Sequence, residues 1–241
     1  MALLAIRNVV KQFGGLKAIN RFNLEINRGE IVGLIGPNGA GKTTLFNVIT
    51  GVYPIEDGEV WFKDKRINGI TPDAACTLGV VRTFQVAKPF AAKSVLYNVM
   101  VGAFARTNDT RVAETKALEV LEFLGLSSKK DQLGKSLTIA DRKRLEIAKA
   151  LATDPELLLL DEVMAGLNPK ETEAAIGLVR AIAARGITLL IIEHVMEVIM
   201  SLSHRVAVLH HGEKIAEGDP KAIVQNDDVI KAYLGDDYVA S

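Results

Sequence analysis

Residues 36–43, Gly-Pro-Asn-Gly-Ala-Gly-Lys-Thr, constrain this chain more than any other stretch. The string satisfies G-x-x-x-x-G-K-[ST], and its setting is the one that pattern needs. The apolar run Ile31–Ile35 precedes it, and a helical pattern with Leu45, Phe46, Val48 and Ile49 follows, closed by Gly51. Glycines let successive backbone N–H groups turn inward around an anion. A helix N-terminus adds positive potential to the same place. Lys42 then reaches the β- and γ-phosphates of a nucleotide, and the Thr43 hydroxyl is a magnesium ligand. Gly36, Asn38, Gly39, Ala40, Gly41, Lys42, Thr43 and Thr44 are accordingly the candidate nucleotide-binding residues.

Two further apolar runs resemble Ile31–Ile35: residues 157–160 and 188–192. Runs without polar alternation suit strands covered on both faces, as in a parallel sheet flanked by helices. Each is followed by a polar or glycine-rich turn and then a helical pattern, which is the βα alternation of an open α/β sheet. Ligands of such sheets sit beyond the carboxyl ends of the strands. Elsewhere in the first third, Phe22, Leu24 and Ile26 alternate with polar neighbours, the period of a half-buried strand. Residues 60–62, a Lys63-Asp64-Lys65 turn and Ile67 predict a hairpin near a sheet edge. Between residues 86 and 152 the pattern turns helical, with runs over 112–124 (ending at Gly125) and 141–151, and a small helical cap follows Asp219-Pro220. One domain over 1–241 is expected, its α/β core formed by 1–85 and 153–241 and a helical lobe by 86–152.

Composition narrows the function classes. The 241 residues carry 29 basic and 29 acidic side chains, a formal net charge of zero, so the basic surplus of a general nucleic-acid binder is missing. With 49% apolar and 24% charged residues the chain has ordinary globular usage rather than that of a disordered tail. No apolar run approaches the roughly 18 residues of a membrane helix. Residues 1–6 are apolar but lack the basic lead-in of a signal peptide. The single cysteine, Cys76, allows no internal disulfide, fits a reducing compartment, and reads as a small buried residue.

The run at 157–160 ends in Asp161-Glu162. With strand ends converging on the phosphate site, Asp161 would hold Mg²⁺ directly or through water, and Glu162 would act as general base on the attacking water. Three residues gain meaning from these two motifs. Gln85, after the strand-like 80–84, is either a surface residue or a contact to Mg²⁺ or the attacking water. His194, after 188–192, is either a polar strand terminus or a γ-phosphate donor. Phe13, in Lys11-Gln12-Phe13-Gly14-Gly15, is either a core residue or an aromatic platform for adenine. The local basic residues Lys129, Lys130, Lys135 and 142–144 read as a solvated face. His210-His211 lies in a hairpin turn without further metal-type ligands at suitable spacing.

In their order along the chain these pieces resemble the ABC-transporter ATPase family: aromatic Phe13, the phosphate loop Gly36–Thr43, Gln85, a helical lobe, a signature region, Asp161-Glu162, a D-loop at Ala165-Gly166-Leu167-Asn168, and a switch histidine, His194. The resemblance implies a RecA-like core with an antiparallel β subdomain and an inserted helical subdomain. It implies ATP and Mg²⁺ as ligands, with Thr43, Gln85 and Asp161 on the metal and Glu162, His194 and Gln85 as the catalytic set. Within the family, the stretches 13–18, 82–85, 144–148 and 215–218 and the ending Ala232-Tyr233-Leu234-Gly235 look like the ATPase subunits of branched-chain amino acid importers. That likeness implies permease partners, a second ATPase subunit, an indirect link to a periplasmic or extracellular solute-binding protein, no nucleic acid, and a peripheral place on the cytoplasmic face of the plasma (inner) membrane. Residues 86–101, with Phe90, Val95, Leu96 and Val99, are then either part of the permease-facing groove or lobe core.

Two positions depart from the family pattern. Where the signature loop usually reads LSGGQ, this chain has Leu137-Thr138-Ile139-Ala140-Asp141. Thr138 keeps the hydroxyl that contacts the partner's γ-phosphate, while Ile139 and Ala140 replace glycines that permit close approach and positive φ. Asn168 stands where the D-loop usually has Asp. Because each composite site pairs one chain's phosphate loop with the other chain's signature, the resemblance predicts a heterodimer in which the site built on Lys42 and Glu162 is the more active. A weakly hydrolysing regulatory subunit or a non-transport ABC ATPase is the alternative.

Overall fold

The run Ile31–Ile35 forms β3, buried along its whole length, in a computed structural model that describes residues 2–83 and 89–234. Gln85, Val86 and Gly235 therefore lie outside the described residues. Leu157–Asp161 (β7) and Thr188–Ile192 (β8) are buried as completely as β3. With Val80–Arg82 (β6), Arg205–His210 (β9) and Glu213–Gly218 (β10) they build a six-stranded sheet in the order β10-β9-β3-β8-β7-β6. Its neighbours are parallel except β9 and β10. Leu157, Leu159, Leu190 and Ile192 enter one hydrophobic core, whereas Leu158, Leu160, Leu189 and Ile191 enter another. Both faces are covered, which is why these runs carry no polar alternation.

The alternating segments build a second, antiparallel sheet. Ala2–Phe13 (β1), Leu16–Asn27 (β2), Asp57–Phe62 (β4) and Lys65–Arg66 (β5) pair in the order β2-β1-β4-β5. Phe22, Leu24 and Ile26 are buried while Asn23, Glu25 and Asn27 are exposed, as the period of two predicts. The apolar start of the chain is the inner part of β1, with Leu3, Leu4, Ile6 and Val9 all buried. The β4–β5 turn places Lys63 and Asp64 at positive φ, the backbone twist that suits a two-residue hairpin. The inner face of this sheet, helix α1 (Lys42–Ile49) and one face of the central sheet share a single core.

On the opposite face of the central sheet the core is helical. Helix α2 (Pro72–Leu78) leads into β6 but packs through Ala75 and Leu78 into the first core, not this one. Helices α3 (Val95–Ala103), α4 (Thr110–Phe123) and α5 (Ile139–Leu151) pack in one continuous cluster with Leu158 and Leu160. Helices α6 (Pro169–Ala184) and α7 (Met196–Leu202) join through Val179, Ile182, Val198 and Ile199. The short α8 (Pro220–Ile223) and α9 (Asp227–Leu234) end the described chain. The Asp109 carboxylate caps α4 by accepting from Arg111 N at 2.8 Å, and Gly125 at φ 68° follows its end.

Val95 and Val99 are fully buried in the cluster of α3, α4 and α5, the core alternative for them, whereas Phe90 is half-exposed and Leu96 partly buried. Two expectations need correction. Cys76 is partly exposed on α2 rather than buried. The basic residues of the lobe are not simply solvated: Lys129 pairs with Asp141, and Arg142 Nη2 donates to the Lys135 carbonyl at 2.7 Å. Among the described residues no helix is long and apolar enough to cross a membrane.

Candidate functional site

The carboxyl ends of β3, β7 and β8 open on one cleft of about 450 Å³. Parallel strands place their ends on one edge of the sheet, so the residues after each strand converge there. The β3 turn contributes Asn38, Gly39, Ala40, Gly41, Lys42, Thr43 and Thr44, the β7 end Glu162, and the β8 end His194. Phe13 from the end of β1 closes another side, so it is not a core residue. His211 from the β9–β10 turn also lines the cleft, a contribution that nothing in the sequence signalled.

The loop's glycines are required by its geometry. Gly41 sits at φ 110°, and a Cβ there would stand 2.4 Å from the Ala18 carbonyl oxygen. At Gly36 a Cβ would stand 2.0 Å from the carbonyl oxygen of Leu209 on β9. The β9–β10 turn braces the loop, because Gly212 N donates to the Ala40 carbonyl at 2.9 Å and Asn20 N donates to the Gly212 carbonyl at 2.8 Å. Lys42 opens α1, and its Nζ donates to the Gly36 and Pro37 carbonyls at 2.7 and 3.0 Å. Burial lowers the Lys42 pKa, with Glu162 and Asp161 opposing that shift. Neutral carbonyls do not cancel the ammonium charge, which leaves the loop electropositive toward an anion.

Asp161 ends β7 fully buried. Its Oδ2 accepts from Arg82 Nη2 at 3.1 Å, and its backbone N donates to Thr83 Oγ1 at 3.2 Å. The Arg82 guanidinium also donates to Asn47 Oδ1 on α1. Burial raises the Asp161 pKa, Arg82 pulls it down, and the Glu162 carboxylate raises it again. Asp161 Oδ1 is buried with no hydrogen-bond partner among the described residues. An orphaned carboxylate oxygen at the end of β7, on the residue before cleft-lining Glu162 and with Thr43 lining the same cleft, fits a hard oxygen-seeking cation such as Mg²⁺. Among the described residues no group of three His, Cys, Asp or Glu forms a self-sufficient metal cage.

Glu162 occupies the left-handed region, φ 49°, where side-chain-bearing residues are uncommon. Contacts from β8 and α5 are among those that hold it there. Its N donates to the Ile192 carbonyl at 2.9 Å, its own carbonyl accepts from Lys143 Nζ at 2.7 Å, and its Oε1 lies 2.6 Å from His194 Nε2. Opposite an ionised carboxylate only the tautomer with hydrogen on Nε2 makes that last bond. Behind His194, buried Glu193 accepts from Met164 N at 2.9 Å. Burial raises the Glu193 pKa, and it lowers that of Lys143 against the pull of Glu193, Glu162 and Asp161. Arg82, Lys143 and Glu193 are the supports that sequence reasoning missed. Arg82 had a weak signal: it ends a short strand whose parallel register sets it opposite Leu159, two residues before Asp161.

The signature-like residues stand apart. None of residues 137–141 lines the cleft. Leu137 is buried, and Thr138 is the N-cap of α5. Its Oγ1 accepts from Asp141 N at 3.2 Å and donates to Asp141 Oδ2 at 2.8 Å. Ile139 and Ala140 lie inside the first turn of that helix, so no positive φ is needed, and Ile139 is 61% exposed. Asn168 caps α6 in a reciprocal box: its Oδ1 accepts from Glu171 N at 3.0 Å while Glu171 Oε2 accepts from Asn168 N at 3.0 Å. An Asn caps a helix as well as an Asp, so Asn168 meets the capping requirement of α6.

A buried strand, a glycine-rich phosphate loop opening a helix, and a carboxylate pair at the end of another strand of the same sheet define a P-loop NTPase. Residues 19–165 match the family model for ABC transporters, and residues 213–239 match that for the branched-chain amino acid ATP-binding cassette transporter. The chain belongs to the ABC transporter family, as an ATPase subunit that energises a transporter. It is 40% identical to the high-affinity branched-chain amino acid transport ATP-binding protein LivG of Escherichia coli (strain K12), over 97% of this chain and 98% of that protein. It is 36% identical to BraF of Pseudomonas aeruginosa, a protein of the same description, again over 97% and 98%. A nucleotide-free ATP-binding cassette from an ABC transporter superposes with a TM-score of 0.90 at 33% identity, covering 98% of this chain and 100% of that one. The ADP conformation of the cassette MJ1267 gives 0.89 at 33% identity, with the same coverage.

Proposed function

We propose that this chain hydrolyses Mg²⁺-ATP to drive import of branched-chain or related amino acids, working as one half of a heterodimer of ATPase subunits beneath two permeases. The observation that carries the reading is the convergence of Lys42, Glu162 and His194 on one cleft, with an orphaned buried oxygen on Asp161, the residue before Glu162. The substrate class is supported by the descriptions of LivG and BraF. A solute-binding protein would deliver the amino acid from outside, and the chain would sit on the cytoplasmic face of the membrane. Residues 86–152 are read as the helical subdomain, with half-exposed Phe90 on its permease-facing side.

In this mechanism the nucleotide's base stacks on Phe13, and its phosphates enter the ring of N–H groups from Gly36 to Thr44. Lys42 exchanges the Gly36 and Pro37 carbonyls for β- and γ-phosphate oxygens. Thr43 and Asp161 would hold Mg²⁺, with Gln85, and the bound ion would neutralise charge developing on the transferring phosphoryl group. His194 turns from Glu162 to the γ-phosphate, which leaves the Glu162 carboxylate to take a proton from the attacking water. The γ-phosphate bridges two subunits, so binding closes the dimer and hydrolysis releases it, a ligand-driven two-state switch. Thr138 of this chain would act on the site whose phosphate loop belongs to the partner.

A second reading, a weakly hydrolysing regulatory subunit, is favoured by Ile139 and Ala140 in the signature position. Purification of the tagged chain from its native membrane in mild detergent, with mass spectrometry of what accompanies it, separates the two. Two polytopic permeases and a second ABC ATPase are expected. A self-dimer or soluble partners alone would overturn the importer reading and leave the regulatory one.

A further inference from the structure

The Phe13 ring, 43% exposed, lines the nucleotide cleft. Other side chains hold it from positions that do not line the cleft. The Tyr53 ring meets it edge to face, with centroids 5.2 Å apart and planes at 78°. Lys11 Nζ stands over the Phe13 ring, 5.0 Å from its centroid. Lys11 is itself buried, and its ammonium is fixed by Glu56 Oε1 at 2.7 Å. The other carboxylate oxygen, Oε2, accepts from Gln12 N at 2.7 Å, and Glu56 N donates to the Val10 carbonyl at 2.9 Å. Glu56 thus ties down the three residues preceding Phe13. Burial pushes its carboxyl up, but the Lys11 ammonium and the Gln12 N–H together take it below the ordinary range.

We propose that Lys11, Glu56 and Tyr53 are positioning residues for nucleobase recognition. They fix the Phe13 ring as a ready-made platform, and the Lys11 charge draws the ring's π-density toward itself. Two physical effects follow. A ring already held loses less conformational freedom when a base settles on it. A cation over one part of the π-system leaves the remainder less negative, which reduces quadrupolar repulsion against a stacked purine. The proposal rests on the reading that Phe13 stacks on adenine, and it assigns a share of the base-dependent affinity to residues that never touch the nucleotide.

Calorimetric titration of the purified full chain with Mg²⁺-ATP and with Mg²⁺-tripolyphosphate, which has no base, tests it. Lys11→Met and Tyr53→Leu are each expected to weaken ATP about three- to tenfold while leaving tripolyphosphate within about twofold. Equal weakening of both ligands would mean a general disturbance of the phosphate loop and would overturn the proposal. Unchanged ATP affinity in both variants, with Phe13→Ala still weakening ATP, would overturn it while leaving the stacking role of Phe13 intact. If Phe13→Ala itself leaves ATP affinity unchanged, the stacking reading fails and takes the proposal with it.

Discussion

His194 Nε2 lies 2.6 Å from Glu162 Oε1, so the ends of two adjacent strands hold the candidate base and the candidate γ-phosphate donor against each other. The arrangement gives each a defined orientation and separates their roles. Replacing Glu162 with Gln keeps the shape and removes the proton acceptor. Glu162→Gln in the assembled transporter is expected to lower kcat by about 10²–10⁴-fold. Nucleotide affinity should stay within about threefold, since the phosphate loop supplies the binding. Steady-state phosphate release together with equilibrium nucleotide binding checks both halves. A parallel loss of binding would count against Glu162 as the base.

Lys42 tests the asymmetry expected of a mixed dimer. Its ammonium is held only by loop carbonyls among the described residues, so Lys42→Ala should leave the fold in place and weaken ATP binding about tenfold or more. In the assembled complex the same change should remove most ATP hydrolysis. An unchanged rate there would show that the site built on Lys42 and Glu162 is not the more active one.

The Arg82–Asp161 pair is a stability element at the site. The carboxylate is fully buried and the guanidinium nearly so. Arg82→Met should cost about 3 kcal/mol at neutral pH, because it strands a buried charge. The deficit should shrink as pH falls, since a protonated Asp161 needs no cation, and burial already raises its pKa. Urea denaturation of the chain between pH 5 and pH 8 reads this slope. A deficit independent of pH would point to lost packing instead.

Asp141 gives the opposite pH signature. Burial pushes its carboxyl up, but Lys129, the Thr138 hydroxyl and Arg144 outweigh it, so the folded-state pKa lies below the ordinary 3.8. A depressed pKa contributes stability that is present above 3.8 and lost as pH falls through the folded value. Asp141→Asn should therefore cost about 1–2 kcal/mol at pH 7. Its gap to the unmodified chain should close only under acid conditions below the ordinary carboxylate pKa. Chemical denaturation at a series of pH values measures the gap, and closure already at neutral pH would contradict the assignment.

Along the chain, the phosphate loop and the three buried strands were legible because their requirements are local. A loop that surrounds an anion needs glycines at set places, and a strand covered on both faces must be apolar throughout. Gly36–Thr43 and Asp161-Glu162 could be read from their neighbours, whereas His194 gains a candidate role only beside them, and parallel strands bring their ends together without further information. The helical runs over 112–124 and 141–151 are legible in their apolar spacing, whereas the caps Asp109 and Asn168 that start α4 and α6 emerge only from the structure.

What local pattern does not carry is which distant charge neutralises which, or where a half-buried side chain comes to rest. Arg82 beside Asp161, Lys143 on the Glu162 carbonyl, and His211 at the rim of the cleft join segments far apart in sequence. The left-handed φ of Glu162 is imposed by contacts from β8 and α5 and has no glycine to announce it. The altered signature loop is the clearest division between the two levels. Its residue types identify a departure from the family pattern, but only packing reveals a helix start capped by Thr138 and Asp141, with Ile139 turned to the surface. Local rules select residue types, whereas burial, charge pairing and backbone strain are properties of segments brought together, and the tertiary structure alone decides them.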